Sequence, residues 1–182
     1  QFARQAPDLE DVVIDRDLAS AAALRMISGT WAVETHTMSV DGHANLAALV
    51  PDVTLAPARR VVEELRVVKD EDEIGHLRTA CAISTEALDG LLAGPLVGRT
   101  EREVARDLEN RMLDLGAEAI AFETILASGE NSAIPHHSPT DRVLGHGELM
   151  KADFGARVAG YHADCTRTVV LGQADDWQRE IY

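Results

Sequence analysis

The 182-residue chain carries a formal net charge of −14, with 46% hydrophobic and 26% charged residues. That balance supports a packed globular core, and it excludes nonspecific binding to nucleic acid or an anionic membrane surface, both of which need basic patches. No apolar run reaches the roughly 18 residues of a membrane span, nothing at the start reads as a signal peptide, and the two cysteines, Cys81 and Cys165, have no metal-type spacing. A reducing cytoplasm is the expected location.

In chain order, DRDLASAAALRMISG (15–29) reads as an Ala-rich helix ending on a glycine. WAVETHTM (31–38) alternates in the manner of a strand. A short helical or mixed piece follows Asp41-Gly42 and ends near Pro51, and VTLA (53–56) suits a short strand. PARRVVEELRVV (57–68) predicts a helix with proline in its first turn and Val61, Leu65 and Val68 on one face. The polar run KDEDE (69–73) marks a boundary, and its acidic residues also favour a helix start.

Beyond it, Ile74, Leu77, Cys81, Leu88 and Leu91 recur at helical spacing up to Gly94-Pro95, with Cys81 expected as a small buried thiol. Thr100-Glu101-Arg102-Glu103 is a capping box opening a second helix through Val104, Leu108, Met112 and Leu115 to Gly116. Strands then take over: IAFETILA (120–127), a loop over 128–142, and a hairpin within MKADFGARVAGYHADCTRTVV (150–170). The class is α+β, with a division near residue 69.

The hairpin poses a problem of charge. A four-residue loop, Arg157–Gly160, puts Asp153 directly opposite Asp164, with Cβ atoms about 4.5–5.5 Å apart on one face. Two carboxylates this close do not both ionise cheaply. A shared proton or a bridging divalent cation each explains the pair. A third reading leaves both aspartates at an exposed sheet edge, where they never meet. His162 lies two residues before Asp164 and is a weaker ligand candidate. In SGENSAIPHHSPTDR (128–142), the adjacent His136 and His137 point opposite ways if extended, so at most one faces a shared site.

VVEELRVVKDEDEIGHLRTAC, SGENSAIPHH and above all KADFGARVAGYHADCTRT resemble the pita-bread metallopeptidases: aminopeptidase P, prolidase and their relatives methionine aminopeptidase and creatinase. The resemblance implies a partial pita-bread catalytic fold, its N-terminal half in residues 69–182. It also implies that residues 1–68 are the C-terminal part of a creatinase-like N-terminal α/β domain with a linker helix. In that family an Asp-x-Gly strand and an Asp-x-Thr-Arg-Thr strand each supply a metal ligand, which carries over to Asp153 and Asp164. The histidine five positions after the Asn of Ser-Gly-x-Asn touches the substrate and stabilises the tetrahedral intermediate, which carries over to His136. Phe122 stands where the family often has an aromatic near a prolyl ring; a core strand position is the competing reading.

The resemblance implies hydrolysis of Xaa-Pro bonds, in peptides with proline second, by a homodimer using two divalent ions. Manganese is expected, with cobalt, zinc or iron as alternatives. The family's remaining ligands, a histidine and two glutamates from later strands, have no counterpart before Tyr182. The chain therefore reads as the middle of a longer enzyme, inactive by itself. A non-catalytic peptide- or protein-binding relative and a creatinase-like metal-free hydrolase are the alternative readings, both weakened by the aspartate pair.

Overall fold

A computed structural model describes residues 17–26 and 28–181. The chain divides into two compact units, residues 1–68 and 69–182, and among the described residues no helix is long and apolar enough to cross a membrane.

In the first unit α1 (Leu18–Ala23) is capped by Asp17, whose carboxylate accepts the Ser20 amide and hydroxyl at 3.2 and 2.6 Å. The expected helix over 15–29 is thus shorter at its far end, and Asp15, Arg16 and Ile27 lie outside the described residues. Strand β1 (Gly29–Val33), helix α2 (Val40–Leu49) and strand β2 (Val53–Pro57) make a parallel βαβ unit with Trp31 beside Leu55. Met26, Val33, Leu46 and Val50 form its core. Strand β1 ends earlier than its alternation suggests, because the Met38 amide and Thr37 hydroxyl both turn back to the Glu34 carbonyl. Pro57 closes β2 rather than opening a helix. The Ala58 amide extends the ladder to Val33, Arg59 takes a φ of +56°, and only then does α3 (Val61–Val67) begin.

The second unit opens with α4 (Glu71–Leu92) and α5 (Glu101–Asp114), each started by a reciprocal capping box, Asp70 with Glu73 and Thr100 with Glu103. Helix α4 buries Ala80, Ile83, Ser84, Ala87, Leu88 and Leu91 along one stripe. Cys81 stands one step round the helix from Ala80 and is exposed, so the expectation of a buried thiol fails.

Strands β3 (Ala119–Ile120), β4 (Ile125–Ser128), β5 (Leu149–Phe154), β6 (Ala156–Val158), β7 (Tyr161–His162) and β8 (Cys165–Val170) build two antiparallel sheets ordered β3-β6-β7 and β4-β5-β8. A short final helix, α6 (Asp176–Ile181), follows. The single strand expected over 120–127 is broken at residues 121–124, where the chain passes from one sheet to the other.

Strands β5 and β6 make the same passage with only Gly155 between them. A Cβ at Gly155 would lie 1.9 Å from the Ala163 carbonyl oxygen, so only glycine permits this close crossing. The buried Ser84 hydroxyl accepts the Ala156 amide at 2.9 Å, satisfying the backbone where the ladder shifts. Leu91, Leu108, Met112, Leu126, Leu144, Met150 and Phe154 are fully buried in the common core, each worth about 1.5–3 kcal/mol relative to exposure.

Candidate metal centre and its histidine loop

Along β5 burial alternates: Met150, Ala152 and Phe154 enter the core, while Leu149, Lys151 and Asp153 face the other way. Asp153 pairs with Thr166 on β8 and with Ile125 on β4. The expected register, with Asp153 opposite Asp164, is therefore wrong by two residues. The turn has two central residues, not four: Ala159 and Gly160, at φ of +49° and +83°, closed by Val158 paired with Tyr161. Positive φ at both positions is the type I′ hairpin geometry. Glu118 holds it by accepting the Gly160 amide and the Arg157 Nε–H, both at 2.9 Å.

A two-residue shift preserves the face. Continuing the register places Gly155 across from Asp164, so the two aspartates are diagonal neighbours, a relation with Cα atoms about 7–8 Å apart. Asp164 lies exposed in the gap between β7 and β8. Asp153 is half-buried, and its Oδ1 is shut from solvent without any hydrogen-bond partner. A carboxylate oxygen buried without a donor costs free energy that a bound cation would offset. His162 is turned aside: its Nδ1–H donates to the Ala121 carbonyl at 2.8 Å.

The loop after β4 begins as a 3-10 turn (Gly129–Ala133) and carries the two histidines, His137 buried and His136 exposed. What holds the loop is a residue that sequence reasoning passed over. Glu101, the first residue of α5, is 0% exposed. Its Oε1 accepts from the Ser128 amide at 2.8 Å, the Ser128 hydroxyl at 3.4 Å and Asn131 Nδ2 at 3.1 Å. Its Oε2 accepts from His137 Nε2 at 2.8 Å, the Thr140 amide at 3.1 Å and the Thr140 hydroxyl at 2.7 Å. Burial alone pushes this carboxyl up; the hydrogen bonds from His137, Thr140, Ser128 and Asn131 outweigh it and hold the pKa at about 2.

From the other side, Lys151 Nζ donates to the carbonyls of Ile134 and Pro135 at 2.6 and 3.2 Å. Lys151 is two residues before Asp153 on the same face. The fold thus ties the residue before His136 to the strand that carries Asp153. His136 opens into a cleft of about 670 Å³ that it shares with Arg102, Arg106, Glu123, Thr124 and Ile125. Neither aspartate lines that cleft, and neither does Phe122, which is half-buried in the bend between β3 and β4. Among the described residues, the groups of three or more potential metal ligands reduce to Glu34, His36 and Glu63, a largely exposed set in the first unit. Among the described residues, Asp153 and Asp164 belong to no such group.

The profile of metallopeptidase family M24 matches residues 75–182. The chain belongs to that family. It is 38% identical over 149 residues to the uncharacterised peptidase YqhT of Bacillus subtilis, covering 82% of this chain and 42% of that protein. It is 41% identical over 122 residues to an Xaa-Pro dipeptidase of Pyrococcus furiosus, covering 67% of this chain and 35% of that one. The crystal structure of an X-Pro aminopeptidase from Thermotoga maritima superposes with a TM-score of 0.86 at 33% identity, over 99% of this chain and 53% of that chain. The chain therefore spans 42% and 35% of these two curated relatives and 53% of the solved structure.

The architecture is the α+β pita-bread fold, covering about half of its prolidase and aminopeptidase P neighbours. Membership of a metallopeptidase family implies divalent metal ions, and the chemistry of the donors agrees. Two carboxylates, one with an orphaned buried oxygen, form a hard oxygen set suited to such cations.

Proposed function

We propose that the enzyme containing this chain hydrolyses Xaa-Pro peptide bonds, with Asp153 and Asp164 as two of the ligands to a pair of divalent ions. The observation that carries this reading is the unpartnered buried Oδ1 of Asp153 on the face it shares with Asp164, in a chain of the M24 family. When bound, divalent ions supply Lewis-acid polarisation of the scissile carbonyl and lower the pKa of a water.

The chain's own residues do the rest. His136, at the mouth of its cleft, donates a hydrogen bond to the scissile carbonyl oxygen as negative charge gathers there. Lys151 keeps the Ile134 and Pro135 carbonyls, and so the backbone leading into His136, against β5. The substrates are peptides with proline second, as the name of the Pyrococcus furiosus relative suggests. Manganese is the proposed ion, a homodimer the proposed assembly, and the cytoplasm the proposed location. The 182-residue chain alone hydrolyses nothing, because two carboxylates leave most of a cation's coordination to water.

The test is metal analysis and proline release from an Xaa-Pro dipeptide by the intact enzyme, its D153N variant and the 182-residue chain. D153N is expected to lose at least one bound ion per subunit and at least about 10³-fold in turnover. Full turnover at wild-type metal content in D153N, or proline released by the short chain, would sink the reading.

A further inference from the structure

The loop that carries His136 holds a second histidine beside it, and something must decide which of the two turns inward. Both histidines line the cleft, but the side chain of His137 is buried and bonded through Nε2 to Glu101, while His136 is exposed. Glu101 also grips the loop at its start through Ser128, in its 3-10 turn through Asn131 and at its far side through Thr140. Every group that reaches this carboxylate from Ser128, Asn131 and Thr140 is a donor, and an ionised carboxylate accepts only. The backbone repeats the clasp: the Glu101 amide donates to the Arg142 carbonyl at 2.9 Å and the Arg102 amide to the Thr140 carbonyl at 3.1 Å.

We propose that Glu101 is the positioning residue for His136, fixing its place and direction by holding His137 and both ends of the loop from beneath. This rests on the reading of His136 as the group that meets the substrate carbonyl. Glu101 touches no reacting atom and acts only through the loop. Gln at 101 would present an NH₂ group to neighbours that are themselves donors, so the loop would lose its seat even though the shape of the side chain is kept. Asp at 101 would keep the acceptors but fall one methylene short.

The test is a double-mutant cycle on Xaa-Pro hydrolysis by the intact enzyme, using E101Q, E101D, H136A and E101Q/H136A, with T140V as a gentler variant that removes one hydroxyl from the same clasp. E101Q is expected to lower kcat about 100-fold with KM changed less than about twofold, the scale of a misplaced catalytic group. E101D should recover about tenfold of that loss, and T140V should lose about tenfold. In the H136A background, E101Q and T140V should each cost less than about threefold, because the group they position is gone.

Additive losses in the cycle, or wild-type kcat in folded E101Q or T140V, would overturn the role of Glu101. Wild-type turnover in H136A alone would overturn the assignment of His136 and this proposal with it. An inactive H136A with an additive cycle removes Glu101 only, so the two failures are told apart. If E101Q does not fold, T140V against H136A decides the matter by the same criteria.

Discussion

Two carboxylates in the second unit are surrounded in opposite ways. Glu101 sits at 0% exposure among hydrogen bonds from four residues. Asp153, on strand β5, keeps one buried oxygen with no partner. Fixed protein dipoles stabilise a charge only where they surround it. The first arrangement is complete within the chain and locks a loop. The second is incomplete within the chain, and that incompleteness is what the proposed cation site rests on.

The comparison can be broken by removing one charge at a time. The largest effect on stability should come from E101Q, which leaves several donors facing an amide. A loss of about 2–4 kcal/mol in denaturant unfolding is expected, and a loss under about 0.5 kcal/mol would show the clasp to be slack. Next comes pH. The Glu101 carboxyl holds its charge to about pH 2 in the folded chain against an ordinary value of 4.5. Its contribution, on the order of 3 kcal/mol, is therefore full above pH 4.5 and drains away as pH falls towards 2. The stability gap between wild type and E101Q should narrow over that window, and a gap constant down to pH 2 would contradict the pairing.

The smallest effect should be at the other carboxylate. With metal removed by a chelator, D153N should leave stability unchanged or raise it by up to about 1 kcal/mol, since it discharges an unpartnered oxygen. A loss as large as that of E101Q would make the two carboxylates alike and end the contrast.

Local chemistry was legible in the sequence where one segment decides its own geometry. The capping box at Thr100 and Glu103 appears where the residues announced it. The hairpin register did not, because Ala159 adopts a positive φ under the hold of Glu118 on Gly160, about forty residues away in sequence. Nothing in Val-Ala-Gly-Tyr signals that contact. The shared face of Asp153 and Asp164 survived the miscount only because the slip was even.

In the sequence Glu101 stands out only as an inner member of the Thr100–Glu103 capping box. Its partners lie 27 to 39 residues later, and the available hint was a loop rich in small donors and histidine. The break at 121–124 hid for a similar reason: IAFETILA reads as one strand, but the chain divides it between two sheets.

Gly155 bears on how this family member can change. Across from Asp164 the site has no side chain at all, since the Ala163 carbonyl occupies the volume a Cβ would need. The floor beside the aspartates is thus main chain, whose chemistry is the same whatever codon stands nearby. Variation can reshape the loops and walls around the site, and with them its preference among substrates, while this patch of floor offers selection nothing to alter.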